Sequence, residues 1–104
     1  MVTDDRMEKA LRYMAETDEP CATLKADMER AEFKAKAIKD AVFLRLEGTV
    51  AERTAQAGSS DEYSVAMEAY FGFVAAFEKV RNKRNTESLV IDVWRSINAN
   101  RRQG

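Results

Sequence analysis

The sequence predicts an all-α protein, an antiparallel hairpin of long helices with short N-terminal and connecting helices, assembled into an oligomer. Three observations predict it. Ala, Glu, Lys, Leu and Arg supply close to half of the 104 residues, the bias of long helices and coiled coils. Gly is sparse and Pro20 is the only proline, too few turn formers for a β-rich fold. Apolar residues recur at spacings of three and four along most of the chain. The length suits one domain, 1–104, and no linker divides it.

The first helix is expected over Met1 to Glu16, capped by Thr3, with Asp4 and Asp5 at the positive end of its dipole. Met7, Leu11 and Met14 form its apolar stripe. Thr17 to Pro20 is expected to break it, because proline suits the first position of a new helix. The second helix then runs to about Glu47 on a stripe of Leu24, Met28, Ala31, Ala35, Ile38 and Val42. Gly48 stops it. Thr49 and Glu52 make a capping box for a short helix to Ala57, and Ser59 with Glu62 makes another for the last helix.

That last helix has two apolar faces. Tyr63, Met67, Tyr70, Val74 and Phe77 form an aromatic one; Val65, Ala69, Gly72 and Ala76 form one of small residues. Gly72 is disfavoured inside a helix and implies that another backbone packs against it. Two faces need two neighbours, which implies a second chain. The helical phase continues past Phe77, so one long helix from about Ser60 to Asn98 is expected; Asn85 and Thr86 would cap a restart if it broke near Arg84. Asn98 to Gly104 is polar and basic and is expected to fray.

The charge is close to balanced, net −1, but unevenly placed. Residues 1–32 carry nine acids and five bases, whereas residues 79–104 carry two acids and seven bases. An acidic head and a basic tail point to a polyanion or to contact between chains. Lys79, Arg81, Lys83 and Arg84, with Arg95, Arg101 and Arg102, are the candidate phosphate contacts. Lys34, Lys36, Lys39, Arg45 and Arg53 form a second cationic set, interrupted by acids, whose plainer reading is a solvated face. Tyr70, Phe77 and Trp94 could stack on bases, but their helical spacing marks them as core.

Catalysis has little to stand on. The chain has no histidine, so Cys21 has no imidazole base and a four-helix di-iron pattern is missing its ligands. No phosphate loop or nucleophile elbow is present. No enzyme, metal or cofactor is expected. With one cysteine and no long apolar run, a cytoplasmic chain without membrane contact is expected.

A run of short segments carries a resemblance. A lysine-bearing helix ends in glycine (Lys36, Lys39, Arg45, Gly48) and is followed by Thr49-Val50-Ala51-Glu52-Arg53. Ser60-Asp61-Glu62-Tyr63, Arg81-Asn82-Lys83-Arg84 and Ile91-Asp92-Val93-Trp94-Arg95-Ser96 come after it. The order resembles small helical phage and prophage recombination-accessory proteins, and is distantly similar to the recombination mediator of T-even phages. It spans about Lys34 to Arg95. The resemblance implies a homo-oligomer that binds single-stranded DNA and works with a recombinase or annealing protein. Its matching positions are Lys36, Lys39, Arg45, Arg81 and Arg84. The other expectation, from the two-faced last helix, is a non-enzymatic structural or adaptor protein acting through helix–helix contacts.

Overall fold

The structure, a computed structural model, describes residues 1–103. It has three helices: α1 (Asp4–Arg45), α2 (Val50–Gly58) and α3 (Asp61–Gln103). No strand occurs among the described residues, and no helix there is long and apolar enough to cross a membrane. The chain forms two compact units, each containing a stretch of α1 and a stretch of α3: Met1–Thr23 with Glu78–Gly104, and Leu24–Phe77. Both long helices pass through both units; the first unit is built from two separate pieces of sequence and the second from one.

In the first unit α1 starts where Thr3 caps it, its hydroxyl accepting from the Arg6 amide at 3.1 Å. The expected break at Thr17 to Pro20 does not occur; α1 runs straight through Pro20. The short N-terminal helix is therefore the opening part of a 42-residue helix. Proline removes one helical amide donor and crowds the carbonyl four residues back. Side chains stabilise the backbone just upstream. Thr17 Oγ1 donates to the Tyr13 carbonyl at 2.7 Å, and Arg84 from α3 donates to the Met14 carbonyl at 2.8 Å.

The packed positions explain why the helix continues. Met7, Ala10, Met14, Thr17, Cys21, Leu24, Met28, Ala31, Ala35, Ile38 and Val42 are buried or half-buried. They alternate in steps of three and four without interruption, the repeat of a coiled-coil seam. Thr17 and Cys21 bridge Pro20 in that repeat, but they are small and weakly apolar, so a hydrophobicity reading stops there. Leu11, expected in the stripe, is 46% exposed, and Ala10 takes the packed place.

On α3 the packed positions are Tyr63, Met67, Tyr70, Val74, Phe77, Val80, Arg84, Glu87, Ile91, Trp94 and Asn98. Their alternation slips once, with two steps of three at Val74–Phe77–Val80. A three-residue slip of this kind overwinds a seam locally, and it falls where the first unit meets the second in sequence. No break occurs near Asn85, so the single long helix expected here is what forms. Of the tail expected to fray, 98–103 is helical, and Gly104 lies outside the described residues.

In the second unit the turn between α1 and α2 needs Gly48, whose φ of +121° suits glycine alone. Arg53 then closes α1 by donating to the Phe43 carbonyl from Nε and Nη2, at 3.3 and 3.1 Å, with its guanidinium over the Phe43 ring. Thr49 caps α2 through the Glu52 amide, as its sequence box implies. At the other end the expected box is displaced by one residue. Ser59 closes α2, and Ser60 accepts from the Tyr63 amide to open α3. Glu62 is thereby free to pair with Arg45 instead of folding back on the cap.

The most deeply buried apolar residues are Ala10, Ala35, Val42, Ala57 and Ile91, and among the described residues no large side chain is fully enclosed. The chain exposes 7576 Å², where a tightly packed chain of its mass exposes about 5,900 Å².

Replacing Pro20 by Ala restores the missing amide donor at an exposed site within α1. Pro20→Ala should therefore raise the unfolding free energy by about 2 kcal/mol, read by urea denaturation. No gain would mean that α1 is not continuous at this point.

Candidate nucleic-acid interface

The candidate cations fall into both units. In the second unit Lys36, Lys39 and Arg45 lie on the last turns of α1. Lys36 is exposed and pairs with Glu32 at 3.6 Å. Lys39 is half-buried, with its amine 5.4 Å from the Tyr63 ring centroid and its stem beside Gly58 at the negative end of α2. Arg45 pairs with Glu62 across the α1–α3 connection. Lys34 is exposed beside this set, and Arg53, half-buried, closes α1.

In the first unit the cations lie on α3. At 100° per residue, Lys79, Lys83 and Arg101 run along one edge of the packed seam, and Arg81, Arg95 and Arg102 along the other. Lys83 sits 4.5 Å above the Tyr13 ring. Arg81 pairs with Glu78 at 3.7 Å, and Arg95 with Asp92 at 3.9 Å, each within one helical turn. Exposed pairs of this kind are worth about 0–1 kcal/mol and exchange easily. A phosphate can displace either carboxylate.

Arg84 is placed differently. Its side chain is 18% exposed. It donates to the Met14 carbonyl at 2.8 Å, to Thr17 Oγ1 at 2.7 Å and to Asp18 Oδ1 at 3.4 Å. Its guanidinium ties α3 to α1 and faces the seam. One turn further on, Glu87 is buried and accepts from both terminal nitrogens of Arg6, at 2.6 and 2.9 Å. Those bonds hold the Glu87 carboxyl below the usual glutamate range; burial opposes them, and the charges of Arg6 and Lys83 add to them. The same pair raises Arg6. Glu87 and Arg6 were not among the expected residues. The signal was legible in part: Arg84 continues the heptad phase of Tyr63, Tyr70 and Phe77, whereas Glu87 reaches the seam because that phase slips at Val74–Phe77–Val80.

The three candidate stacking residues keep to the packed face, whereas Phe33 and Phe71 are exposed. Tyr70, Phe77 and Trp94 are half-buried. Trp94 donates its indole N–H to Asp4 at 2.8 Å, joining α3 to the start of α1. Among the described residues no group of His, Cys, Asp or Glu is placed to hold a metal ion. Cys21 is half-buried and has no disulfide partner. The chain matches no family model, no curated protein and no solved structure.

Two predictions follow from this division of labour. Arg84→Ala removes three bonds to α1 and should lower the unfolding free energy by about 1–3 kcal/mol, while Lys79→Ala should leave it nearly unchanged; thermal denaturation compares them. Glu87→Gln should lower the melting temperature at neutral pH. Because folding depresses the Glu87 carboxyl, its contribution is complete above the usual glutamate range and is lost as pH falls through the depressed value. The gap between wild type and Glu87→Gln should accordingly close in acid, and a gap constant with pH would show that the ion pair contributes nothing.

Proposed function

We propose that this chain is a non-enzymatic nucleic-acid-binding protein that holds single-stranded DNA by its phosphates and acts as an oligomeric recombination accessory. The observation that supports it is the pair of exposed cationic rows on α3, Lys79–Lys83–Arg101 and Arg81–Arg95–Arg102, in a segment with few acids. Arg6 and Arg84, whose bonds tie α1 to α3, are separate from these rows, so phosphate contact leaves those bonds intact, while Lys83 over the Tyr13 ring and Arg101 beside Met1 would exchange a contact with α1 for a phosphate. Half-buried aromatic rings make stacking a minor part of the binding. The affinity should be sequence-independent and electrostatic. Lys36 and Arg45, on the second unit, are a further set whose partners are exposed carboxylates.

Anisotropy of a labelled single-stranded oligonucleotide tests this reading, with a duplex as control. A strand following one row meets three cations, so binding should weaken roughly 20-fold between about 50 and 200 mM salt. Lys79→Glu/Lys83→Glu or Arg81→Glu/Arg95→Glu should abolish it without changing helicity by circular dichroism. Absence of binding at low salt would reject the proposal.

A second reading is a structural or adaptor protein working through helix–helix contacts. The exposed Leu44 and Val50 in the second unit, and Leu89 and Val93 in the first, favour it. It requires association that nucleic acid does not alter.

A further inference from the structure

The small face of α3 is open. Val65 is 70% exposed, and a Cβ built at Gly72 would meet nothing within 4 Å. Nothing in the chain approaches the backbone there, so the expected reason for a mid-helix glycine is not supplied by α1. The same face forms one wall of an apolar groove of about 360 Å³ in the second unit. Val65, Ala66, Ala69 and Phe73 of α3 line that wall, and Ala31 and Ile38 of α1 line the other.

We propose that this groove is the contact face of a homodimer, in which α3 of one copy lies against the groove of a second copy through a two-fold axis. Three observations choose a second copy as the occupant. The first is charge. Between Asp61 and Phe77, α3 carries Asp61, Glu62 and Glu68 and no base, whereas the α1 side of the groove carries Arg30 and Lys34. Glu62 is already paired with Arg45, and a two-fold axis sets Glu68, flanking the small face of each copy, against Lys34 on the rim of the other. Asp27 on the rim pairs with Arg30 at 3.2 Å and leaves Lys34 as the exposed rim cation.

The second observation is area. The chain exposes about 1,700 Å² more than a tightly packed chain of its mass, and a stable interface takes about 800 Å² from each partner. The third is shape. Ala69, Gly72 and Ala76 leave the α3 backbone uncovered, so another helix can approach closely, and Phe73 and Ile38 supply the apolar area beside it. The inference deepens the assembly part of the proposed function, and it stands without nucleic acid.

Sedimentation equilibrium of the full chain, in the absence of DNA and across micromolar concentrations, tests it. Wild type should be a dimer. Gly72→Arg and Val65→Asp point into open space in the monomer, so both should keep their helicity by circular dichroism and weaken the dimer at least about tenfold. Phe33→Ser, on a different face of α1, should leave it intact. Lys34→Glu should weaken it, and Lys34→Glu/Glu68→Lys should recover it. A monomeric wild type would overturn the proposal. So would a dimer equally tight in Gly72→Arg and Val65→Asp, or one that only Phe33→Ser dissociates. Because no DNA is present, failure of the phosphate reading leaves this outcome unaffected.

Discussion

Arg84 and Glu87 constrain the packing of α1 against α3 more than any apolar residue does. The α1 seam mixes small residues (Ala10, Thr17, Cys21, Ala31, Ala35) with Met7, Met14, Leu24, Met28, Ile38 and Val42 in an unbroken heptad, so sliding by seven residues still sets apolar residues at most packed positions. Two charges of opposite sign on the facing helix remove that freedom. Arg84 finds the Met14 carbonyl, Thr17 and Asp18 in one register, and Glu87 finds both nitrogens of Arg6 in the same one. A slipped register would leave both charges at the seam without partners, and an uncompensated buried charge costs several kcal/mol. The polar pair thus selects the register, and the apolar seam supplies the general attraction.

Arg84 also engages the turns before Pro20. Proline in a helix interior has a cost of about 3 kcal/mol and would be expected to end it. Here the donor Arg84 and the Thr17 hydroxyl engage carbonyls of the preceding turns. The heptad also runs on through Thr17 and Cys21, so ending the helix would forfeit every packed position on one side of the proline. Tertiary packing outweighs a local breaker when the breaker is exposed and the seam beneath it is intact. Pro20 is exposed.

Local chemistry was legible where one residue decides it. Thr3, Gly48 and Thr49 do what their side chains, or the lack of one, dictate, and α2 follows from its cap. The single long α3 was also legible, since its periodicity continues past Asn85. Where two adjacent residues could do the same job, sequence could not choose: Ser60 rather than Ser59 opens α3, because α2 runs on to Gly58 and Ser59 is its C-cap. Ala10 displaced Leu11 for a reason that hydrophobicity hides, since a closely packed seam prefers the smaller side chain. Among the candidate site residues, charge alone could not separate Arg84 from Arg81. The distinction lies in the slip at Val74–Phe77–Val80: Arg84, seven residues past Phe77, stays at a packed position, whereas Arg81, which continues Met67 and Val74 in steps of seven, is exposed beyond the slip.

That phase argument bears on function. Cations on the seam and cations at its edges belong to one run of sequence, but they do opposite things. Arg84 is held by three acceptors and could not turn outward to a phosphate without leaving the Met14 carbonyl and Thr17 unpaired. Arg81 pairs with Glu78 and Arg95 with Asp92, exposed carboxylates one turn away that solvent already screens. Exchanging those carboxylates for phosphates changes the partner and leaves the seam untouched. Under the proposed phosphate reading, loss of polyanion binding without loss of fold is expected at the edge positions and at Lys36 and Arg45. A substitution at Arg84 that weakened binding would report on the packing of α3 against α1, since that is where its guanidinium is engaged.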